Sequence, residues 1–171
     1  YQLGGCARVA LVSLTLSVGF GLAGCAAIDD LKVSIFQWLD PVNFTGEGEE
    51  LLGYARALQD EETGLFIHGF ERDCGRNGQL WARGNGWALM GLVDTLALLP
   101  RSHGSWRELH QRLVRLIEAL APLQHESGLW HTVVDAPQTY LESTLAAMTA
   151  YALHGAFERG VLDASTFGQI E

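Results

Sequence analysis

Seven consecutive residues, Trp81-Ala82-Arg83-Gly84-Asn85-Gly86-Trp87, gather the densest recognition chemistry in the chain. Indoles present flat apolar faces on which sugar rings stack. A guanidinium grips a carboxylate through paired N–H donors. Glycines let backbone approach a ligand, and the N–H groups that open a following helix favour an anion. The competing reading is structural, with Trp81 and Trp87 filling a core and the glycines turning the chain. Taken as a set the residues favour binding, with Trp81, Arg83, Asn85 and Trp87 as contacts.

Upstream, His68 lies in Gly64-Leu65-Phe66-Ile67-His68-Gly69-Phe70. It reads either as a satisfied buried histidine or as a hydrogen-bond donor to a ligand. Asp29 and Asp30 stand between two apolar stretches. Adjacent carboxylates repel, which raises one pKa and suits a proton donor; Asp also caps helices well. The residues alone leave both readings open. His131 follows Trp130 and is a further binding candidate. Glu142 either caps the next helix or lines the same opening.

Composition narrows the chemistry. The chain has 171 residues and a formal net charge of -9, with one lysine, Lys32. Nucleic acid is therefore not an expected partner. In so acidic a chain, each arginine near a candidate site gains weight. Cys6, Cys25 and Cys74 form no CxxC pair and no zinc-ligand spacing with histidine. GxSxG, P-loop, HExxH and dinucleotide motifs are absent from the sequence. No metal or nucleotide cofactor is expected.

The elements that position these residues read mainly as helices. Apolar spacing predicts helices over residues 29–39, 49–58, 87–99, 106–120 and 144–157. The helix over 106–120 is amphipathic, and those over 87–99 and 144–157 are apolar nearly all round. Residues 65–70 and 129–134 read as short extended segments. Glu61-Glu62-Thr63-Gly64-Leu65-Phe66 is echoed roughly sixty residues later by His125-Glu126-Ser127-Gly128-Leu129-Trp130. Each copy follows a polar helix and leads toward an apolar one. That alternation predicts an all-α toroid of helical hairpins, polar helices outside and apolar helices inside.

Residues 1–27 form a separate apolar segment. Arg8, the uncharged run over residues 9–28 and Leu22-Ala23-Gly24-Cys25 resemble a lipoprotein signal with Cys25 as the lipidated residue; a buried core helix is the alternative. A membrane partner, and export rather than a cytoplasmic location, is expected only on the signal reading.

The motifs resemble the unsaturated glucuronyl and rhamnogalacturonyl hydrolases of glycoside hydrolase families 105 and 88. The matching pieces are Ile28-Asp29-Asp30-Leu31, Thr63 to Phe70, the WARGNGW run, Ser127 to Trp130, and Tyr140-Leu141-Glu142-Ser143-Thr144. The resemblance implies an (α/α)6 barrel, a six-hairpin toroid, over residues 28–171. It implies hydration of the C4=C5 double bond of a terminal unsaturated uronic acid in an oligosaccharide, without cofactor. By position it makes Asp29 the general acid/base, with Asp30 the alternative for that role and otherwise a substrate contact. It places His68, Trp81, Arg83 and Trp87 on the sugar. Family members are about twice this length, so the barrel is expected to be incomplete here, with inner-helix faces uncovered. An upstream acidic pocket residue of the family has no counterpart, and Ile28 replaces an aromatic. A helical-toroid sugar epimerase and a non-catalytic sugar-binding fragment are the competing readings.

Overall fold

The computed structural model describes residues 33–34, 47–71 and 75–163. Four helices carry the fold: α1 (Glu47–Leu58), α2 (Ala82–Leu98), α3 (Trp106–Leu120) and α4 (Ser143–Glu158). The amphipathic α3 shows how pattern becomes packing. Leu109, Leu113, Leu116, Ile117 and Leu120 recur at helical spacing and are fully buried. Arg107, Gln111, Arg115 and Glu118 occupy the solvent face.

The helices pair by layer. α1 lies along α3 in the same direction, through Ser105 Oγ donating to Glu49 Oε1 and Arg56 donating to Glu108. α2 lies along α4, also in the same direction. Arg83 meets Glu142 at the start, Gly86 meets Leu145 and Met148 further on, and Asp94 meets Arg159 near the end. Two outer–inner pairs therefore repeat side by side, as two hairpins of the (α/α) toroid. The core between the layers includes Leu58, Phe66, Leu89, Leu92, Leu113, Ile117, Trp130 and Leu145. On the inner helices Leu98, Tyr151 and Phe157 remain exposed.

Short extended segments join the helices. β1 (Val33–Ser34), β2 (Gly69–Glu71) and β3 (Gly75–Arg76) form one antiparallel sheet, with Val33 opposite Phe70 and Phe70 opposite Arg76. β4 (Trp130–His131) and β5 (Leu141–Glu142) form another, pairing Trp130 with Glu142.

The sequence echo has a structural basis. Gly64 and Gly128 both have left-handed backbone, at φ 79° and 78°. Each sits in a tight turn closed by backbone hydrogen bonds, Gly64 N–H to Asp60 O and Gly128 N–H to His125 O. Two residues later Phe66 and Trp130 insert into the core.

Two element boundaries differ from the sequence expectation. α2 begins at Ala82 rather than near residue 87, so Arg83 to Trp87 lie within the helix. The glycines are compatible with helix here because the neighbouring helix packs closely: a Cβ on Gly86 would stand 2.5 Å from Met148 Sδ. Val33 and Ser34 are extended and paired to β2, not helical. The rest of the helix expected over residues 29–39 lies outside the described residues, as does the apolar segment 1–27. Among the described residues no helix is long and apolar enough to cross a membrane.

Candidate functional site

The two inner helices bring their N-terminal ends together, and the candidate site is assembled there. Trp81 precedes α2 in extended conformation. It is held by a bridge to Val133, while Ala82 N–H donates to Thr132 O and Val134 N–H donates to Leu80 O. His68 is tied to the same ladder, its N–H donating to Gln79 O at 2.8 Å. Each side chain is thus fixed by backbone pairing on one or both sides.

Trp81 is the centre of the cluster. The His68 ring meets it edge-on, with centroids 4.8 Å apart. The Arg83 guanidinium stands 4.4 Å from the ring centroid, in cation–π contact. Arg83 Nη1 donates to Glu142 Oε2 at 2.5 Å. Thr132 Oγ1 donates to the same oxygen at 3.1 Å. Tyr140 is exposed, and its phenol pKa is lowered by its polar neighbours, Thr132 first and Arg83 second. His68 is half-buried, and that burial lowers its pKa and favours the neutral ring. Among the described residues, His68 Nδ1 and Glu142 Oε1 are buried without a hydrogen-bond partner.

The residues expected from sequence fall into several places. His68, Trp81 and Arg83 come together. Asn85 is fully buried beneath them and is committed to backbone: Oδ1 accepts from Phe66 N–H, while Nδ2 donates to Phe66 O and Trp81 O. Trp87 stands one helical turn beyond Arg83 and packs partly against the core. His131 alternates away from Thr132 along its segment; its Nδ1 meets Thr139 O at 2.6 Å and its ring meets His125. Asp29 and Asp30 lie outside the described residues.

The sequence does not single out Thr132 or Tyr140 as site residues, and it leaves Glu142 open between cap and site. The strand period could have found two of them. In an antiparallel pair, Glu142 opposite Trp130 places Thr132 diagonally beside it on the same face. A separate depression of about 440 Å³ runs along α3, lined by residues including Glu61, Arg107, Glu108 and Arg115, and shares no residue with the cluster. Among the described residues, no group of His, Cys, Asp and Glu is arranged to hold a metal ion.

Two outer–inner helix pairs side by side, with this cluster at one end of the inner helices, place the chain in the helical-toroid class of folds. The model of Glycosyl Hydrolase Family 88 matches residues 47–170, and the chain belongs to that family. It is 38% identical over 103 residues to the unsaturated rhamnogalacturonyl hydrolase YesR of Bacillus subtilis, covering 59% of this chain and 30% of that protein. It is 29% identical over 123 residues to an unsaturated 3S-rhamnoglycuronyl hydrolase of Formosa agariphila, covering 64% of this chain and 32% of that protein. A crystal structure from Salmonella enterica, described as a possible member of the GH105 family, superposes with a TM-score of 0.65 at 37% identity, covering 72% of this chain and 34% of that one. The chain thus spans about a third of the length of each of these three.

Proposed function

We propose that the protein acts on oligosaccharides ending in an unsaturated uronic acid and adds water across the C4=C5 double bond. The observation that carries this reading is the Trp81–Arg83 pair, flanked by His68 and Tyr140, at the N-terminal ends of the inner helices. An indole face suits the sugar ring. A guanidinium has five N–H donors, so Arg83 keeps several after Glu142 has taken one. The two curated relatives named above are both described as hydrolases of unsaturated sugars.

The chemistry asks little of the protein. The double bond is a vinyl ether conjugated to a carboxylate. A carboxylic acid, assigned to Asp29 by resemblance with Asp30 as its alternative, delivers a proton to C4. Positive charge at C5 is shared by the ring oxygen. The oxygen of water bonds to C5, and its proton returns to the same carboxylate. The resulting hemiketal opens by breaking the bond from C5 to the ring oxygen. The hemiacetal so exposed at C1 releases the remaining sugar as an alcohol. A pair of carboxylates straddling the glycosidic bond is not required. His68, Trp81, Arg83 and Trp87 are assigned to sugar binding, with Asn85 acting through the backbone it holds; His131, turned toward Thr139 and His125, is not among them.

The test follows the ultraviolet absorbance of an unsaturated galacturonyl-rhamnose disaccharide with the parent protein and with Asp29→Asn. The expected result is loss of absorbance with the parent alone. Equal loss with both removes Asp29 from the mechanism, and no loss with either removes the hydrolase reading for this chain.

A further inference from the structure

Glu142 immediately precedes α4, at the position where a side chain normally caps a helix. It makes no cap hydrogen bond. Its carboxylate turns the other way, and Oε2 accepts from both Arg83 and Thr132. The Glu142 side chain is 5% exposed and that of Arg83 is 35% exposed. The carboxylate is therefore beneath the guanidinium, and a sugar at the surface meets Arg83 first. A carboxylate buried this deeply loses its hydration, and neither helix capping nor core packing requires it here.

We infer that Glu142 is the positioning residue for Arg83, holding one edge of the guanidinium so that its free donors face the sugar site with Trp81 behind them. The inference deepens the sugar-site reading and rests on it for its functional sense. Two contacts fix the guanidinium: the Trp81 face and the Glu142 carboxylate. Arginine alone is a long chain with many rotamers, and the carboxylate selects one of them. The ion pair carries no net charge. Arg83 therefore offers directed hydrogen bonds to sugar oxygens rather than the field of a free cation.

Two experiments separate this role from a merely structural one. The first is NMR of the arginine guanidinium Nη–H groups in the whole chain, because Nη1 is the atom that Glu142 holds. The parent should show a resolved, slowly exchanging Arg83 signal. Glu142→Gln, which keeps the size but removes the charge, should merge that signal with those of solvent-exposed arginines. Thr132→Val should broaden it only partly, because the carboxylate remains. An Arg83 signal in Glu142→Gln as sharp and protected as in the parent would overturn the inference.

The second experiment is kinetic, on the unsaturated disaccharide. Glu142→Gln should raise KM about ten-fold with little change in kcat, the loss of one charged hydrogen bond's worth of binding. The variant's KM should also become salt-dependent, as the released guanidinium acts as a free cation. In an Arg83→Ala background Glu142→Gln should have no further effect; an undiminished effect there would overturn the inference. A parent without turnover would count against the hydrolase reading, while the Arg83 signal would still decide the role of Glu142.

Discussion

Asn85 and Phe66 are joined in both directions: Phe66 N–H donates to Asn85 Oδ1 at 2.7 Å, and Asn85 Nδ2 donates to Phe66 O at 3.1 Å. The side-chain amide copies a strand neighbour and ties the extended segment before His68 to the first turn of α2. A third bond, from Nδ2 to Trp81 O, fastens the residue that carries the stacking face. Asn85→Ala removes all three bonds inside the core. The expected loss is about 2–4 kcal/mol of stability, because buried polar groups lose their partners. Urea denaturation measures it. A midpoint equal to the parent's would show that water or a rearranged backbone replaces the amide.

Gly86 is a packing residue of the inner pair. A Cβ there would stand 3.2 Å from Leu145 Cδ1 and from Met148 Cβ, and closer still to Met148 Sδ. The sulfur can swing aside, but the Met148 Cβ is fixed to α4. Gly86→Ala is therefore expected to cost about 1–3 kcal/mol through overpacking, reduced by the better helix propensity of alanine. Combining it with Met148→Ala should recover part of that loss. Thermal melting of the two single variants and the double variant checks this, and strictly additive losses would refute the contact.

These two residues show what the sequence could and could not convey. The boundaries of α3 follow from its apolar period, which buries one face and solvates the other. The echo around Gly64 and Gly128 was legible because a left-handed turn is a local demand on one residue. The start of α2 was not, since Gly84, Asn85 and Gly86 weaken a helix by propensity and only the α4 contact and the Phe66 backbone explain them. Trp81, Arg83 and His68 could be nominated as binding residues by type. The partnership of Arg83 with Glu142 joins residues 59 positions apart, and no local pattern encodes it.

Glu108 supplies a pH dependence on the outer layer. Arg56 donates to both of its oxygens and Arg112 to Oε1, and these cations hold its carboxyl at about 2, against an ordinary 4.5. A carboxyl depressed in the folded state stabilises the fold above its unfolded pKa. That contribution fades as pH falls from about 4.5 toward 2. The effect is small, because Arg56 is well exposed and water and salt screen the pair. Glu108→Gln should melt slightly below the parent at pH 7, and the gap should close below pH 4. A gap independent of pH would assign the loss to packing instead.

His68 should make the candidate site itself acid-sensitive. Its ring is half-buried against Trp81, and desolvation lowers its pKa from the ordinary 6.5. Below 6.5 the unfolded chain takes up a proton that the folded ring resists. Stability from this residue is therefore complete above 6.5 and declines as pH falls through the lowered folded value. His68→Phe keeps an aromatic ring beside Trp81 and removes the proton. Its stability should vary less than the parent's between neutrality and about pH 5. Denaturation curves across that range, with the His68 ring followed by NMR, provide the check. A ring that titrates at or above 6.5 would show it meeting water or a carboxylate rather than the apolar surroundings that lower its pKa.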